Sequence, residues 1–459
     1  MLKPNYFSAH LTILRIFGLW SYKDSGSQSS SPKSFLYSVY QAIFLFTFAY
    51  LFTVLEIIEL RFSWKNFDDF ISNLCYAIVH IMACLKISLI LARESDIRKI
   101  ISSFENGILQ IRPGEKTHEE YQLVSQRVHR TRKLLVIYFF IGTSVVINGL
   151  LCPLYSSSDS MNHEPKEKNL TIMEPDRRVI SRDYNERVSR KLPYMSYFPF
   201  DVGVTPYYEL AYVYQGISLM TLSPIIVTTD VLYGSILLHI ATQLSILART
   251  LISVRSIGAN RLRRNDAYQT RCEPWKFDNP EIFWRKQLDA EIYRLLKNCV
   301  EHHRAIISLT ENMEDIFSTL VLLQFLSNLV IMCFPLFQIT SVPIMSFPFF
   351  SMVSLMTAMM YQLFIFCNCG DELTQQSLLV ADAACFCDWY EFSSAEMRRA
   401  LLSIVQRSQK PLRLTVAKFA ALSRETYLKV VQGSASYFMF LRKLHHANDD
   451  DEANDNDEQ

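Results

Sequence analysis

Six stretches of this chain are apolar for about 20 residues or more, the length an α-helix needs to cross roughly 30 Å of hydrocarbon. They cover residues 35–60, 70–92, 134–155, 207–238, 317–341 and 347–369. That pattern leaves few folds open. Within hydrocarbon each backbone N–H and C=O must be satisfied inside the segment, so runs of this length fold as membrane helices. Pro224 in the fourth run fits that reading, because neighbouring helices re-satisfy the groups a kink sets free. The charged fraction, 20%, is near a soluble average, although half the residues are hydrophobic, with 31 Phe and 23 Tyr. The segregation of apolar residues therefore carries the reading, not their total.

Residues 420–443, AALSRETYLKVVQGSASYFMFLRK, are long enough to be a seventh crossing but hold Arg424, Glu425, Lys429 and Gln432. Ionisable residues in a membrane segment usually face a cavity or a partner. The stretch is read as a crossing with one wet face, on which Lys429, Gly433, Ser436, Phe440 and Lys443 fall at helical spacing. Small polar residues also promote helix packing, so plain helix contact is the competing reading of that face. Near the N-terminus HLTILRIFGLW is apolar but too short to cross, which predicts a re-entrant or interfacial helix within segment 1–34. The first residues lack the basic region, short apolar core and small-residue cleavage site of a signal peptide.

With seven crossings the loops alternate sides. One side takes 1–34, 93–133, 249–314 and 370–419, with 4, 9, 12 and 6 Lys/Arg; the other takes 61–69, 156–206 and 342–346, with 2, 8 and 0. The positive-inside rule then predicts a cytoplasmic N-terminus and an extracellular C-terminus. Asn169-Leu170-Thr171, an N-x-T glycosylation acceptor, falls in the external loop 156–206 of this threading. The inversion counts against a G-protein-coupled receptor, and no acidic-Arg-aromatic triplet closes the third run. The tail 444–459 is acidic, with seven Asp/Glu between 449 and 458, and is expected outside as a solvated segment.

On the cytoplasmic side, Leu288, Ile292, Leu295, Cys299, His302, Ile306, Leu309, Met313 and Ile316 alternate steps of four and three. That seam predicts a long helix rising from segment 249–314 into the fifth crossing, with His302 at a core edge. Residues 393–409 are amphipathic, with Ser393 or Ser394 and Glu396 placed as an N-terminal cap and Pro411 beyond the end. They predict an anchor helix within 370–419, packed on the heptad helix. The pairs Cys367/Cys369 and Cys385/Cys387 have C-x-C spacing rather than the usual C-x-x-C, and His302-His303 lacks the H-E-x-x-H pattern. No metal, no cofactor and no catalytic residue is expected; P-loop, G-x-S-x-G and dinucleotide fingerprints are missing, so the chain is not read as an enzyme.

The last 70 residues carry specific motifs. Trp389 precedes the anchor helix, Arg407-Ser408-Gln409-Lys410-Pro411 follows it, then Phe419, Leu422-Ser423 and Ser434 to Leu441 (SASYFMFL); Arg15 to Trp20 read R-x-x-G-L-W. These resemble the insect odorant receptor family. The resemblance implies an all-α membrane protein of seven helices with inverted topology, a cytoplasmic helical anchor and a pore-lining seventh helix. It implies a ligand-gated, non-selective cation channel of four subunits in the plasma membrane of olfactory neuron dendrites. This chain looks like the odour-specific kind, partnered by a shared co-receptor, membrane lipid and a small volatile organic ligand; no nucleic-acid partner is expected. The family's gate position falls on Phe440 and the polar position after it on Lys443, where the co-receptor's pattern has valine and glutamine.

A volatile ligand calls for an apolar, aromatic-lined cavity with few polar groups. The resemblance places it in the outer half, between crossings two, three, four and six. Candidates are Tyr76 and His80, Thr143 and Ile147, Tyr212, and Thr357 and Tyr361. Two other readings stay open: a gustatory receptor of the same superfamily, forming a homomeric channel, and a transporter. Against the second, no two-fold repeat or paired Gly/Pro-broken runs are visible.

Overall fold

The computed structural model describes residues 6–21, 32–64, 67–105, 109, 118–162, 192–268, 280–344, 346–416, 418 and 420–457. Asn169 lies outside them. Among the described residues six helices are long and apolar enough to cross a membrane, over Phe35–Ser63, Phe70–Ala92, Glu119–Leu151, Tyr207–Ile252, Glu281–Leu336 and Phe347–Phe386. They overlap all six expected runs, stopping short of the ends of 134–155 and 317–341 and overshooting others. The helices are α2 (Pro32–Leu45) joined by a π-helical stretch, Phe46–Leu51, to α3 (Phe52–Ser63), then α4 (Phe67–Ala92), α6 (His118–Asn162), α7 (Tyr207–Ile252), α9 (Pro280–Ser341) and α10 (Phe347–Phe386). Shorter helices are α1 (Ser8–Ile16), α5 (Glu94–Glu105), α8 (Val254–Tyr268) and α11 (Ala395–Ser408).

Helix α7 forms the axis of the bundle. Every residue from Ile225 to Leu244 is buried, and the helix packs on α6 and α10. A helix that is apolar around its whole circumference must sit in the middle of a protein or in lipid; this one is covered by protein. The first crossing is the opposite case, with Phe35, Leu36, Ile43 and Phe46 all exposed on its outer face.

At the end of the bundle that carries α1, α8 and α11, the heptad seam is inside α9. Ile292, Leu295, Cys299, Ile306, Leu309, Met313 and Ile316 are buried, and His302 Nε2 meets Gln243 Oε1 of α7 at 3.1 Å. Ser394 caps α11 by accepting the Glu396 N–H at 3.1 Å, and Met397, Leu401 and Ile404 are buried beneath it. The short N-terminal helix α1 docks on α7. His10 is buried with Nε2 3.2 Å from Ser235 Oγ, and the Phe7 ring meets Phe104 of α5 and His239 of α7 edge-on. Burial holds the His10 imidazole down at about 4, with Arg132 adding to the effect.

The seventh helix starts later than the sequence predicts. Ala420–Ala421 form a strand, β2, paired antiparallel with β1 (Thr415–Val416), so α12 runs Arg424–Asp457 and not from 420. Ser423 caps it, accepting the Thr426 N–H at 3.1 Å. Two contacts fix this start against α10. Arg424 reaches Asn368 Oδ1 at 3.1 Å and Asp371 Oδ2 at 3.4 Å, and Gly370 leaves room for Leu422. A Cβ at 370 would lie 2.4 Å from Leu422 Cβ. Arg424 is thus a helix-start anchor, which explains one of the charges in an otherwise membrane-length segment.

Candidate ligand cavity and seventh helix

A cavity of about 60 Å³ lies among four crossings, toward the end that carries residues 192–206. Helix α4 gives it Tyr76, Val79 and His80; α6 gives Gly142, Val145 and Val146; α10 gives Leu355, Ala358 and Met359. Helix α7 supplies Leu222, Ser223 and Ile226, and Tyr194 from the preceding segment closes one side. The lining is mostly aliphatic and aromatic, with few polar groups, as a site for a small apolar ligand requires. The volume limits an occupant to a small molecule.

Tyr194 is held in place rather than left loose. Its N–H donates to Gln215 Oε1 at 3.2 Å, and Gln215 Nε2 donates back to the Tyr194 carbonyl at 2.9 Å. Its ring meets Tyr76 edge-on at 4.6 Å. Tyr76 in turn shares a hydrogen bond of 3.1 Å with Ser351 on α10. His80 lies with Nδ1 2.6 Å from Glu56 Oε2 on α3, and Glu56 is fully buried.

Beneath the cavity is a chain of buried polar groups. Tyr138, which also lines the cavity, hydrogen-bonds the Asp230 carboxylate. Lys86 pairs with the same carboxylate, and Gln362 donates to its second oxygen. Gln324 donates to Gln362 Oε1 at 2.9 Å and to Asn328 Oδ1 at 3.1 Å. Five helices, α4, α6, α7, α9 and α10, therefore meet through hydrogen bonds at one level of the bundle. Burying these groups without partners would cost several kcal/mol each, so their pairing ties the helices into one register.

Of the seven expected ligand residues, Tyr76 and His80 line the cavity. Thr143 and Ile147 do not: they lie on the outer side of α6, with Ile147 45% exposed and the Thr143 hydroxyl bonded to its own Phe139 carbonyl. One residue of helix is about 100° of rotation, and the lining positions are Gly142, Val145 and Val146 instead. Thr357 is likewise exposed and bonds back to Val353, while its neighbours Ala358 and Met359 face inward. Tyr212 spends its hydroxyl on the Leu150 carbonyl. Tyr361 stands below the cavity, its ring 5.5 Å from Tyr138 and its hydroxyl buried without a partner among the described residues. Tyr138, Tyr194, Glu56, Lys86 and Asp230 were missed by the sequence reading. Lys86 and Asp230 left a signal, since a charge inside an apolar run marks a partner or a cavity; Tyr194 lies in a loop and left none.

Along α12 the expected wet face is uncovered by the other described residues. Lys429, Gly433, Ser436 and Lys443 are exposed, and nothing lies within 4 Å of where a Gly433 Cβ would be. The Phe440 side chain is outside the described residues. The opposite face packs on α9 and α10: Ser434 and Phe438 are buried, and Cys333 Sγ approaches the Ser434 carbonyl at 3.8 Å. Lys429 is paired within its own helix, 2.6 Å from Glu425.

Residues 66–435 match the family model described as 7tm Odorant receptor. Odorant receptor Or1 of Anopheles gambiae is 23% identical over 258 residues, 56% of this chain and 61% of that protein. The odorant receptor coreceptor of Anopheles gambiae is 26% identical over 182 residues, 40% of this chain and 38% of that protein. These alignments take in less than two thirds of the relatives' own lengths. The fold is that of the insect olfactory receptor OR5 from Machilis hrabei, solved in complex with eugenol, at a TM-score of 0.71 and 14% identity over 96% of this chain and 98% of that one. The match over most of the chain makes it a member of the insect odorant receptor family.

Proposed function

We propose that this chain is the odour-specific subunit of a ligand-gated, non-selective cation channel, assembled with the family's shared co-receptor in the plasma membrane of olfactory sensory neurons. The observation that carries the reading is the apolar cavity between α4, α6, α7 and α10, whose lining suits a small volatile molecule and which widens to admit a ring-sized one. The uncovered face of α12 supports the rest. Lys429, Gly433, Ser436, Phe440 and Lys443 line the pore in this reading, and a bulky apolar position near one end gates by excluding water. Occupancy of the cavity shifts α10 against α7, and α10 carries the start of α12 through Arg424 and Gly370. A ligand acts this way only through a difference in its affinity for the two states.

The loop charge bias supports a cytoplasmic N-terminus and an outward-facing cavity. Under that threading Asn169 is glycosylated in eukaryotic cells, and a tag after residue 459 stains on intact cells whereas one before residue 1 does not. The deciding experiment is whole-cell recording with an odorant panel, with and without the co-receptor. Currents that need both chains support the proposal. Currents of equal size from this chain alone would favour a homomeric, gustatory-type channel.

A further inference from the structure

The imidazole of His80 stands between two environments. On one side Nδ1 is 2.6 Å from Glu56 Oε2; on the other the ring lines the cavity. With Nδ1 turned to α3, the ring edge left to the cavity carries Nε2. What Nε2 offers depends on how many protons the pair holds. If the pair is anionic, Nδ1 donates to the carboxylate and Nε2 is a bare acceptor. If the pair is neutral overall, the extra proton sits on Glu56, which then donates to Nδ1, or on the ring as imidazolium. Nε2 carries a hydrogen in both neutral forms.

The surroundings favour the neutral pair. Glu56 is 0% exposed, and its other oxygen, Oε1, has no hydrogen-bond partner among the described residues. A lone carboxylate there would bear an uncompensated charge in a low-dielectric interior, which costs far more than an unpaired carbonyl-type oxygen. The nearest lysine along α4, Lys86, is committed to Asp230 at 2.6 Å.

We propose that the Glu56–His80 pair presents Nε2–H as a hydrogen-bond donor to the cavity, so that the site takes small neutral molecules with a hydrogen-bond acceptor on an apolar body: ketones, aldehydes and esters. The proposal rests on the cavity being the ligand site, and not on the gating that follows. Protonated amines are excluded twice over, since they bring a second donor to Nε2–H and a charge with no counter-ion in the lining. The Tyr138 hydroxyl is directed at Asp230, and the Tyr76 hydroxyl shares a bond with Ser351, so the Nε2–H of His80 stands beside the Ser223 and Tyr194 hydroxyls as a donor that the cavity offers.

The test uses the full-length receptor purified in detergent and three probes on one carbon skeleton. They are acetophenone, α-methylstyrene (C=CH2 in place of C=O) and α-methylbenzylamine, a cation at neutral pH. The readout is the concentration that half-maximally raises the melting temperature, which needs no current. Acetophenone is expected to bind about tenfold more tightly than α-methylstyrene, the worth of one hydrogen bond in an apolar site, and the amine not to bind. In the variant His80→Phe with Glu56→Leu, donor and buried partner leave together. Acetophenone should then fall to the level of α-methylstyrene measured on the same variant, while both still bind. The carbonyl stretch of acetophenone bound to the parent protein decides the point without a variant: a hydrogen bond lowers it below its value in hydrocarbon. Equal binding of the two neutral probes, tightest binding by the amine, binding by none, or an unshifted carbonyl stretch would each overturn the proposal. Acetophenone binding as expected but evoking no current with the co-receptor would sink the channel reading and leave this one standing.

Discussion

Lys86 Nζ lies 2.6 Å from Asp230 Oδ1, joining α4 to α7 at a point where both side chains are 2% exposed. Two charges at that depth are stable only as a pair. The gain from such a pair over apolar packing is often nil, but breaking it strands one ion in the interior. Lys86→Met or Asp230→Asn alone should therefore destabilise the receptor by about 3–5 kcal/mol, seen as a lower melting temperature and loss of surface delivery. Lys86→Met with Asp230→Leu should recover most of the surface signal. If the double variant is as poorly delivered as either single one, the remaining polar chain through Gln362 and Gln324 depends on Asp230 itself and not on charge balance.

The junction between α10 and α12 makes a second expectation. A Cβ on Gly370 would meet Leu422 Cβ at 2.4 Å and the Leu422 carbonyl oxygen at 2.8 Å. The obstruction includes backbone, so it is not relieved by turning a side chain. Gly370→Ala should cost about 1–3 kcal/mol, the usual penalty of overpacking a close-packed site, and should displace the start of α12. Gly433→Ala, with open space around it, should leave the melting temperature of the single chain unchanged. Thermal melts of the two variants side by side check the contrast.

These two glycines also mark the boundary of what was legible in the sequence. The positions of the first six crossings were readable, because hydrocarbon thickness fixes run length and the runs are long; the seventh, α12, is not among the helices long and apolar enough to cross. The ends were not: α10 continues to Phe386 and α6 begins at His118, since polar residues remain helical once a helix has left the lipid. The seam of α9 was readable from its 3.5-residue period. The cavity was half readable. Tyr76 and His80 are a turn apart on a helix whose inner face was identified, but Thr143, Ile147 and Thr357 show that a face misjudged by about one residue puts a side chain on the outside of the bundle. Tyr194 and Glu56 come to the cavity through tertiary packing alone.

The docking of α1 should depend on pH. His10 is buried against Ser235 and His239 of α7, and that burial, with Arg132 nearby, pulls the docked imidazole down to about 4 from an ordinary value of about 6.5. The undocked form thus binds more protons between those values. Its contribution is fully present above about 6.5, is lost as pH falls toward 4, and changes no further once both forms are protonated. The difference is on the order of 3 kcal/mol across that window. The melting temperature of purified receptor should fall more steeply from pH 7 to 4.5 in the parent than in His10→Leu. Parallel pH profiles would place the titration elsewhere.

The final expectation concerns Lys443, which is exposed on α12 three residues beyond Phe440. Under the proposed four-subunit assembly it stands beside the gate, where the family resemblance implies a neutral polar group. A full ring of four lysines would disfavour cations, because basic rings in a pore select anions. A single lysine among neutral partners is tolerated, with its charge screened by salt within about 8–10 Å. This chain should therefore conduct cations poorly as a homomer and well as a minority subunit beside the co-receptor. Lys443→Gln should raise the permeability of the mixed channel to calcium relative to sodium, with the larger effect at low ionic strength. The measurement is the shift of reversal potential when external sodium is replaced by calcium, in parent and variant under the same ligand. An identical shift in both would take Lys443 out of the conduction path and turn its side chain toward the outer face of the helix.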